Sequence, residues 1–227
     1  MPTSPNIWDY FQTEDLASFE GNYNRVRFLA SHFNPGARVL NIGIGNGRFE
    51  ELCLKRGVDV YALDPSEKSV ALLRERLQLG SKLVAGYSEA IPFADSFFDG
   101  VVMTEVIEHL SRETMEKTLE EVKRVLKPGG LFLGTIPSNE NLRADLAVCP
   151  KCGEKFNKWG HQQTFTIEGF RQELGRLFSV LEIGNKLFTP WNILNWKGKA
   201  EGAVKYLMFK LGILGERWQN IFFLCKK

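Results

Sequence analysis

Three histidines are the side chains of this sequence best suited to carry a proton at neutral pH. One stands in Thr104-Glu105-Val106-Ile107-Glu108-His109-Leu110, where two carboxylates and an imidazole follow the apolar segment Gly100–Thr104. A group at the carboxyl end of a buried strand faces the ligand crevice of an open α/β sheet. His109 is therefore the first candidate to take a proton from a reacting hydroxyl. A structural histidine bonded to backbone is the alternative. His161 is the second candidate, and His32, near the end of a helical stretch, reads as a capping residue. Cys149-Pro150-Lys151-Cys152-Gly153 is a different chemistry. A C-x-x-C turn brings two thiolates to one metal, and a structural zinc needs four ligands. His161 is a third ligand by this reading, and reduced thiols in a plain turn are the competing one.

Elements must hold these groups in place. Val39–Ile42 reads as a short buried strand, followed by Gly43-Ile44-Gly45-Asn46-Gly47 and then an amphipathic helix beginning near Phe49. Bare glycine backbone lets a ligand approach, and a helix N-terminus points N–H groups at it. A second strand, Val58–Leu63, ends in Asp64, about twenty residues on, where an acid can take the two hydroxyls of a ribose. Pro65 suits the first turn of the next helix, which Gly80 stops. Lys82–Ala85, Gly100–Thr104, Leu131–Ile136, Phe178–Ile183 and Ile221–Cys225 read as further strands. Residues 22–33, 112–127, 166–176 and 200–211 read as helices.

The glycine pattern is G-x-G-x-G, not the G-x-G-x-x-G of dinucleotide folds. It resembles motif I of the class I S-adenosylmethionine-dependent methyltransferases. Gly86-Tyr87-Ser88-Glu89-Ala90-Ile91-Pro92-Phe93 is similar to that family's adenine loop. Glu105–Leu110 is similar to the segment after strand four in ubiquinone-type O-methyltransferases, and Leu126-Lys127-Pro128-Gly129-Gly130 to a family landmark before strand five. The resemblance runs over roughly residues 36–137. It implies a Rossmann-like α/β fold: a mainly parallel seven-stranded sheet with helices on both faces and the last strand antiparallel. It implies S-adenosylmethionine as cofactor, held by Asn41, Gly43, Ile44, Gly45, Gly47, Asp64, Pro65, Ser88, Glu89 and Glu105. Two positions depart from the family. Asn41 replaces the usual acid of motif I, and Tyr87 replaces the Asp that accepts the adenine amino group. These departures also fit a protein that binds the cofactor without catalysis, as a regulator or partner.

The implied enzyme moves a methyl group to oxygen of a small molecule, sugar or lipid-linked intermediate. A histidine before the helix after strand five faces the acceptor in many members of the family, a second role for His161. Glu105, Glu108 and His109, with His161 later, also resemble a metal-binding pattern of some RNA methyltransferases. The formal net charge of +2 argues against a nucleic-acid acceptor.

Length and composition suit one domain over 1–227, with 44% hydrophobic and 25% charged residues. An N-terminal helical segment (1–35) comes first, and its Trp8, Tyr10, Phe11 and Phe19 are expected to pack on the domain or lid the site. A Cys/His-containing insertion spans 138–165 and a second spans 186–219. No transmembrane run or signal peptide is read, so a cytoplasmic enzyme is expected, as monomer or homodimer. In the second insertion Val204, Leu207, Met208 and Leu211 share one helix face amid lysines. That face has four readings: packing on its own domain, capping the acceptor pocket, a dimer interface, or weak peripheral contact with a membrane.

Overall fold

The computed structural model describes residues 16–191, 193–213 and 219–227. Trp8, Tyr10, Phe11 and Trp218 lie outside the described residues. Seven strands form one sheet: β1 (Arg38–Ile42), β2 (Asp59–Asp64), β3 (Leu83–Ala85), β4 (Phe98–Thr104), β5 (Leu126–Pro137), β8 (Ser179–Lys186) and β9 (Asn220–Lys226). Their order is β3-β2-β1-β4-β5-β9-β8. β1 to β5 pair parallel, and β9 runs antiparallel between β5 and β8. The Rossmann-like sheet is the one expected. The buried strands are Val/Ile/Leu/Phe-rich because helices cover both faces.

Six helices follow from local signals: α1 (Tyr23–Ala30), α2 (Arg48–Lys55), α3 (Glu67–Leu77), α4 (Arg112–Val125), α5 (Ile167–Gly175) and α6 (Trp196–Lys210). Ser66, Ser111, Thr166 and Asn195 cap α3, α4, α5 and α6 through side-chain oxygens that accept a backbone N–H. On one sheet face Met115, Leu119, Val122 and Val125 of α4 pack with Phe170 and Leu174 of α5 on Phe98, Phe132 and Phe223. On the other, Val26 and Leu29 of α1, Phe49 and Cys53 of α2, and Val70 and Leu73 of α3 pack on Val39, Val60 and Phe222.

The first insertion contains an unexpected two-stranded hairpin, β6 (Leu146–Val148) with β7 (Lys155–Asn157), and Cys149–Gly153 form its turn. The second contains α6, starting four residues earlier than expected. On its apolar face Val204, Leu207 and Leu211 are 58%, 59% and 64% exposed, while Met208 is half-buried. Only Gly202 of the helix is buried, against Thr189 and Trp191. No described helix is long and apolar enough to cross a membrane.

Candidate active site

The carboxyl ends of β1, β2 and β4 open into a pocket of about 550 Å³, within the size range of small-molecule sites. One end is built by motif I. Gly43 has φ +86°, and a Cβ there would come within 2.5 Å of Val106 Cγ2. Only glycine fits that approach of the turn to the β4 loop. Gly45 lies under Phe19, whose ring would meet its Cβ at 3.2 Å. Phe19 also lines the pocket, so the N-terminal segment covers the site at this point. Gly47 does something else. It is not on the pocket wall, and a Cβ there would meet Leu73 Cδ1 at 2.2 Å. Its job is the close packing of the turn on α3.

Asp64 ends β2 and is 2% exposed. Its carboxylate accepts from Ile44 N at 3.0 Å and Ser66 N at 2.9 Å, so its position is set by the turns it joins. Asn41 is 1% exposed on the pocket wall. Its Nδ2 donates to Gly43 O and, at 2.6 Å, to Glu50 Oε1. That leaves Asn41 Oδ1 buried without a hydrogen-bond partner. Glu50, from the first turn of α2, is fully buried, and burial pushes its carboxyl up from 4.5 to about 7. An acid therefore stands directly behind the amide that replaced the family's acid.

The adenine-loop counterpart, Gly86–Glu89, forms the far wall. Ser88 is buried, and its hydroxyl pairs with Thr118 of α4 at 2.8 Å. Tyr87 is 61% exposed on the rim. Glu89 and Pro65 also line the wall.

The other end of the pocket follows β4. Glu105 has φ +55°, a left-handed conformation uncommon for a side chain with a Cβ. It is pinned from three sides. Thr135 Oγ1 donates at 2.8 Å, Asn220 Nδ2 donates at 3.1 Å, and Arg25 lies 3.5 Å away. His109 is on the wall, and its ring sits 4.7 Å from the His161 ring. Burial, with His161 beside it, holds His109 far below its ordinary 6.5, at about 3. The ring is therefore neutral, with its lone pair available, and a weak base. His161 is not on the wall but directly behind His109, and its Nδ1 pairs with Glu140. His32 bonds Phe28 O through Nδ1 at the end of α1, away from the pocket.

The structure does not bring His161 to the cysteines. Cys149 and Cys152 sit on the hairpin turn, tied by Gly153 N to Cys149 O and Cys149 N to Glu154 O. Backbone N–H groups of Cys152 and Lys151 lower the Cys149 thiol below its ordinary value. Among the described residues no third His, Cys, Asp or Glu joins this pair. The zinc set Cys149, Cys152, His161 is therefore not assembled among the described residues, because the hairpin carries the thiols away while Gln162 and Gln163 hold the next loop against residues 108–110 after β4.

Several members of the site gave no signal of their role in the sequence. Glu50 belongs to no motif in the sequence. Glu140, Gln162 and Gln163 lay outside any motif. Arg25 stood among the polar residues of α1.

A doubly wound sheet whose strand ends carry a glycine turn, a ribose-type acid and a small-molecule-sized pocket defines a Rossmann-like cofactor-binding enzyme fold. The cofactor implied by the sequence fits what is there: a bare-backbone cradle at Gly43, the acid at Asp64, and the buried acceptor Asn41 Oδ1, suited to an ammonium group. Comparison with known proteins makes the class specific. The family described as methyltransferase domain matches residues 40–134. An uncharacterized protein of Methanocaldococcus jannaschii is 31% identical over 158 residues, 67% of this chain and 72% of that protein. A ubiquinone biosynthesis O-methyltransferase of Rhizobium etli is 29% identical over 183 residues, 76% of this chain and 72% of that one. Among solved structures, the Burkholderia thailandensis 1,6-didemethyltoxoflavin-N1-methyltransferase, bound to 1,6-didemethyltoxoflavin and S-adenosylhomocysteine, superposes with a TM-score of 0.67. That likeness is at 17% identity and covers 99% of this chain and 86% of the other. The chain belongs to the class I S-adenosylmethionine-dependent methyltransferases and is an enzyme of the small-molecule type.

Proposed function

We propose that this methyltransferase acts on a hydroxyl oxygen of a small molecule, sugar or lipid-linked intermediate. S-adenosylmethionine supplies an already activated methyl group, so the protein's task is to position the two partners. Asp64 takes the ribose hydroxyls. Gly43, Ile44 and Gly45 cradle the amino-acid portion, with Asn41 Oδ1 as acceptor for its ammonium. Ser88 and Glu89 border the adenine, where the Ser88 hydroxyl is committed to Thr118 and backbone must make the contact.

One observation carries the oxygen assignment. His109 presents a neutral imidazole at the acceptor end, held neutral by burial. A neutral ring accepts a hydrogen bond from a hydroxyl, orients its lone pairs and receives the proton, which becomes strongly acidic as the oxygen is methylated, before passing it to solvent. The name of the Rhizobium etli relative supports the same reading. Gln162, from the insertion 138–165, lines the acceptor side of what we read as a single domain. The test is turnover with methyl-labelled S-adenosylmethionine against a panel of phenols, glycosides and amines, with products identified by mass spectrometry. Methyl ethers are expected. N- or C-methyl products without ethers would sink the oxygen assignment.

A further inference from the structure

Motif I of this chain lacks its acid, yet a carboxyl stands directly behind the gap. Asn41 Nδ2 donates to Glu50 Oε1 at 2.6 Å and to Gly43 O at 3.2 Å. Two acceptors on one side of the amide leave it a single orientation, with Oδ1 turned away from both. Oδ1 is buried without a partner, and Asn41 is on the pocket wall. Glu50 is not on the wall. It is fully buried, and its Oε2 also lacks a partner. Packing alone does not call for an acid at this place, because a buried, half-satisfied carboxyl is costly in either protonation state.

Glu50 is poised between its two states. Burial opposes its charge, and Asp64 at the end of β2 opposes it further. The Asn41 amide, the backbone N–H of Glu50 itself and Arg76 of α3 favour it. Position favours it too, since Glu50 lies in the first turn of α2, where free N–H groups stabilise negative charge. A further titratable neighbour is Cys53, one turn along the same helix, whose thiol is pushed up by burial and by Glu50. From α1, Val26 and Leu29 join the apolar cluster that holds Phe49 and Cys53. The balance leaves a proton on Glu50 up to about pH 7. A positive charge arriving nearby tips it.

S-adenosylmethionine brings two positive charges, an ammonium and a sulfonium, against one carboxylate. We propose that Glu50 is a positioning residue for this cofactor: through Asn41 it supplies the negative charge that motif I lacks, and it releases its proton to water as the cofactor binds. This role rests on the reading above of Asn41 Oδ1 as acceptor for the ammonium. A carboxylate on the N–H side of an amide polarises it, so Oδ1 is the more negative when Glu50 is ionised. By linkage, a cation that prefers the ionised form lowers the proton affinity of Glu50, and ionised Glu50 in turn tightens the hold on the cation. Cofactor affinity therefore rises with pH over the interval in which the free chain keeps the proton and the complex does not. It levels off above about pH 7.

The test is calorimetry of S-adenosylmethionine binding to the full chain at pH 6 and pH 8, each in two buffers of different ionisation enthalpy. The Glu50→Gln variant is the reference, because its oxygen can still accept from Asn41 Nδ2 while it carries no charge. The cofactor's own ammonium titrates against both proteins and cancels in the comparison. For a Glu50 proton affinity that falls from about 7 to about 5–6 on binding, wild type releases roughly 0.4 to 0.8 proton more than the variant at pH 6. Its gain in affinity from pH 6 to pH 8 exceeds that of the variant roughly 5- to 10-fold. Wild type that matches Glu50→Gln in both proton release and pH dependence overturns the role of Glu50. Asn41→Ala separates this from the reading beneath it. Weaker binding by Asn41→Ala, with no Glu50-dependent proton release in the wild-type comparison, overturns the Glu50 role alone. Binding by Asn41→Ala as tight as wild type overturns the ammonium reading of Asn41, and the Glu50 role with it. Urea unfolding reports whether each variant is folded at both pH values, and Asn41→Ala combined with Glu50→Gln replaces Asn41→Ala should the single variant fail that check.

Discussion

Replacing Glu50 by Gln should stabilise the fold, and by an amount that depends on pH. In the folded chain this carboxyl is fully buried and holds its proton up to about pH 7, against an ordinary 4.5. Below pH 4.5 it is protonated both folded and unfolded, so it exacts no pH-dependent penalty. Between pH 4.5 and 7 the unfolded chain releases the proton and the folded chain keeps it, so stability falls as pH rises. Above pH 7 the loss is complete. A proton affinity moved from 4.5 to about 7 amounts to about 3 kcal/mol, a sizeable part of the stability of an ordinary domain. Gln cannot ionise, and its oxygen can still accept from Asn41 Nδ2. The advantage of Glu50→Gln over wild type should therefore be about 1 kcal/mol at pH 5 and about 3 kcal/mol at pH 8. Urea unfolding of both proteins at the two pH values measures it, and every other titrating group cancels in the difference. An advantage that does not change between pH 5 and pH 8 would refute the argument. Asn41→Asp, which restores the family's acid, sharpens the test. It sets a second carboxylate against Glu50, and should destabilise the chain at pH 8 far more alone than combined with Glu50→Gln.

Asp64→Ala should weaken S-adenosylmethionine binding roughly ten- to hundred-fold by calorimetry, the equivalent of losing charge-assisted bonds to ribose; unchanged affinity would show that Asp64 does not hold the cofactor. Gly43→Ala combines a φ of +86° with a Cβ 2.5 Å from Val106 Cγ2, and should cost about 1–3 kcal/mol in urea unfolding as well as cofactor affinity. Adding Val106→Ala should return part of that stability, and no recovery would mean that the steric contact is not the cause. The exposed Val204 and Leu207 of α6 and Leu211 just after it, beside Lys197, Lys199, Lys205 and Lys210, should carry the protein up with anionic liposomes in a flotation gradient. Leu207→Glu with Leu211→Glu should abolish flotation, and wild type that stays at the bottom removes the membrane reading.

The half of the site that takes the cofactor could be read from the sequence because its determinants are local. A strand, a tight turn and a helix start lie within Val39–Phe49, and Asp64 follows at the next strand end. Each constraint is backbone geometry that only certain residues satisfy. Gly47 was legible as a special position but not in its purpose, since a pocket and a packing contact both demand the absence of a Cβ. The acceptor half was less legible. His109 was picked out by type and place, but its depressed proton affinity comes from burial and from His161, some fifty residues away. β6 and β7 are three residues each, too short for alternation to register. Glu50 sits on a helix face where a carboxylate ordinarily means water. What α6 packs on was not legible for a related reason: periodicity reveals that a helix has an apolar side but not what lies opposite it.

β9 lies inside the sheet, hydrogen-bonded to β5 on one side and β8 on the other, with Phe222 and Phe223 fully buried. During synthesis the edge of β5 must therefore wait, with its N–H and C=O groups unpaired, while residues 138 to 219 emerge. That interval is a window of exposure to misassembly, since an open hydrophobic edge invites any passing strand. The same arrangement gives evolution a protected workshop. Whatever is inserted between β5 and β9 is clamped at its root by the Leu131–Lys226 to Pro137–Asn220 ladder, and lengthening a loop closed in this way adds little entropic cost. Hairpin, cysteine turn and α6 can thus be recast without disturbing the strand ends that bind the cofactor, which is how one sheet can serve acceptors of unrelated shape.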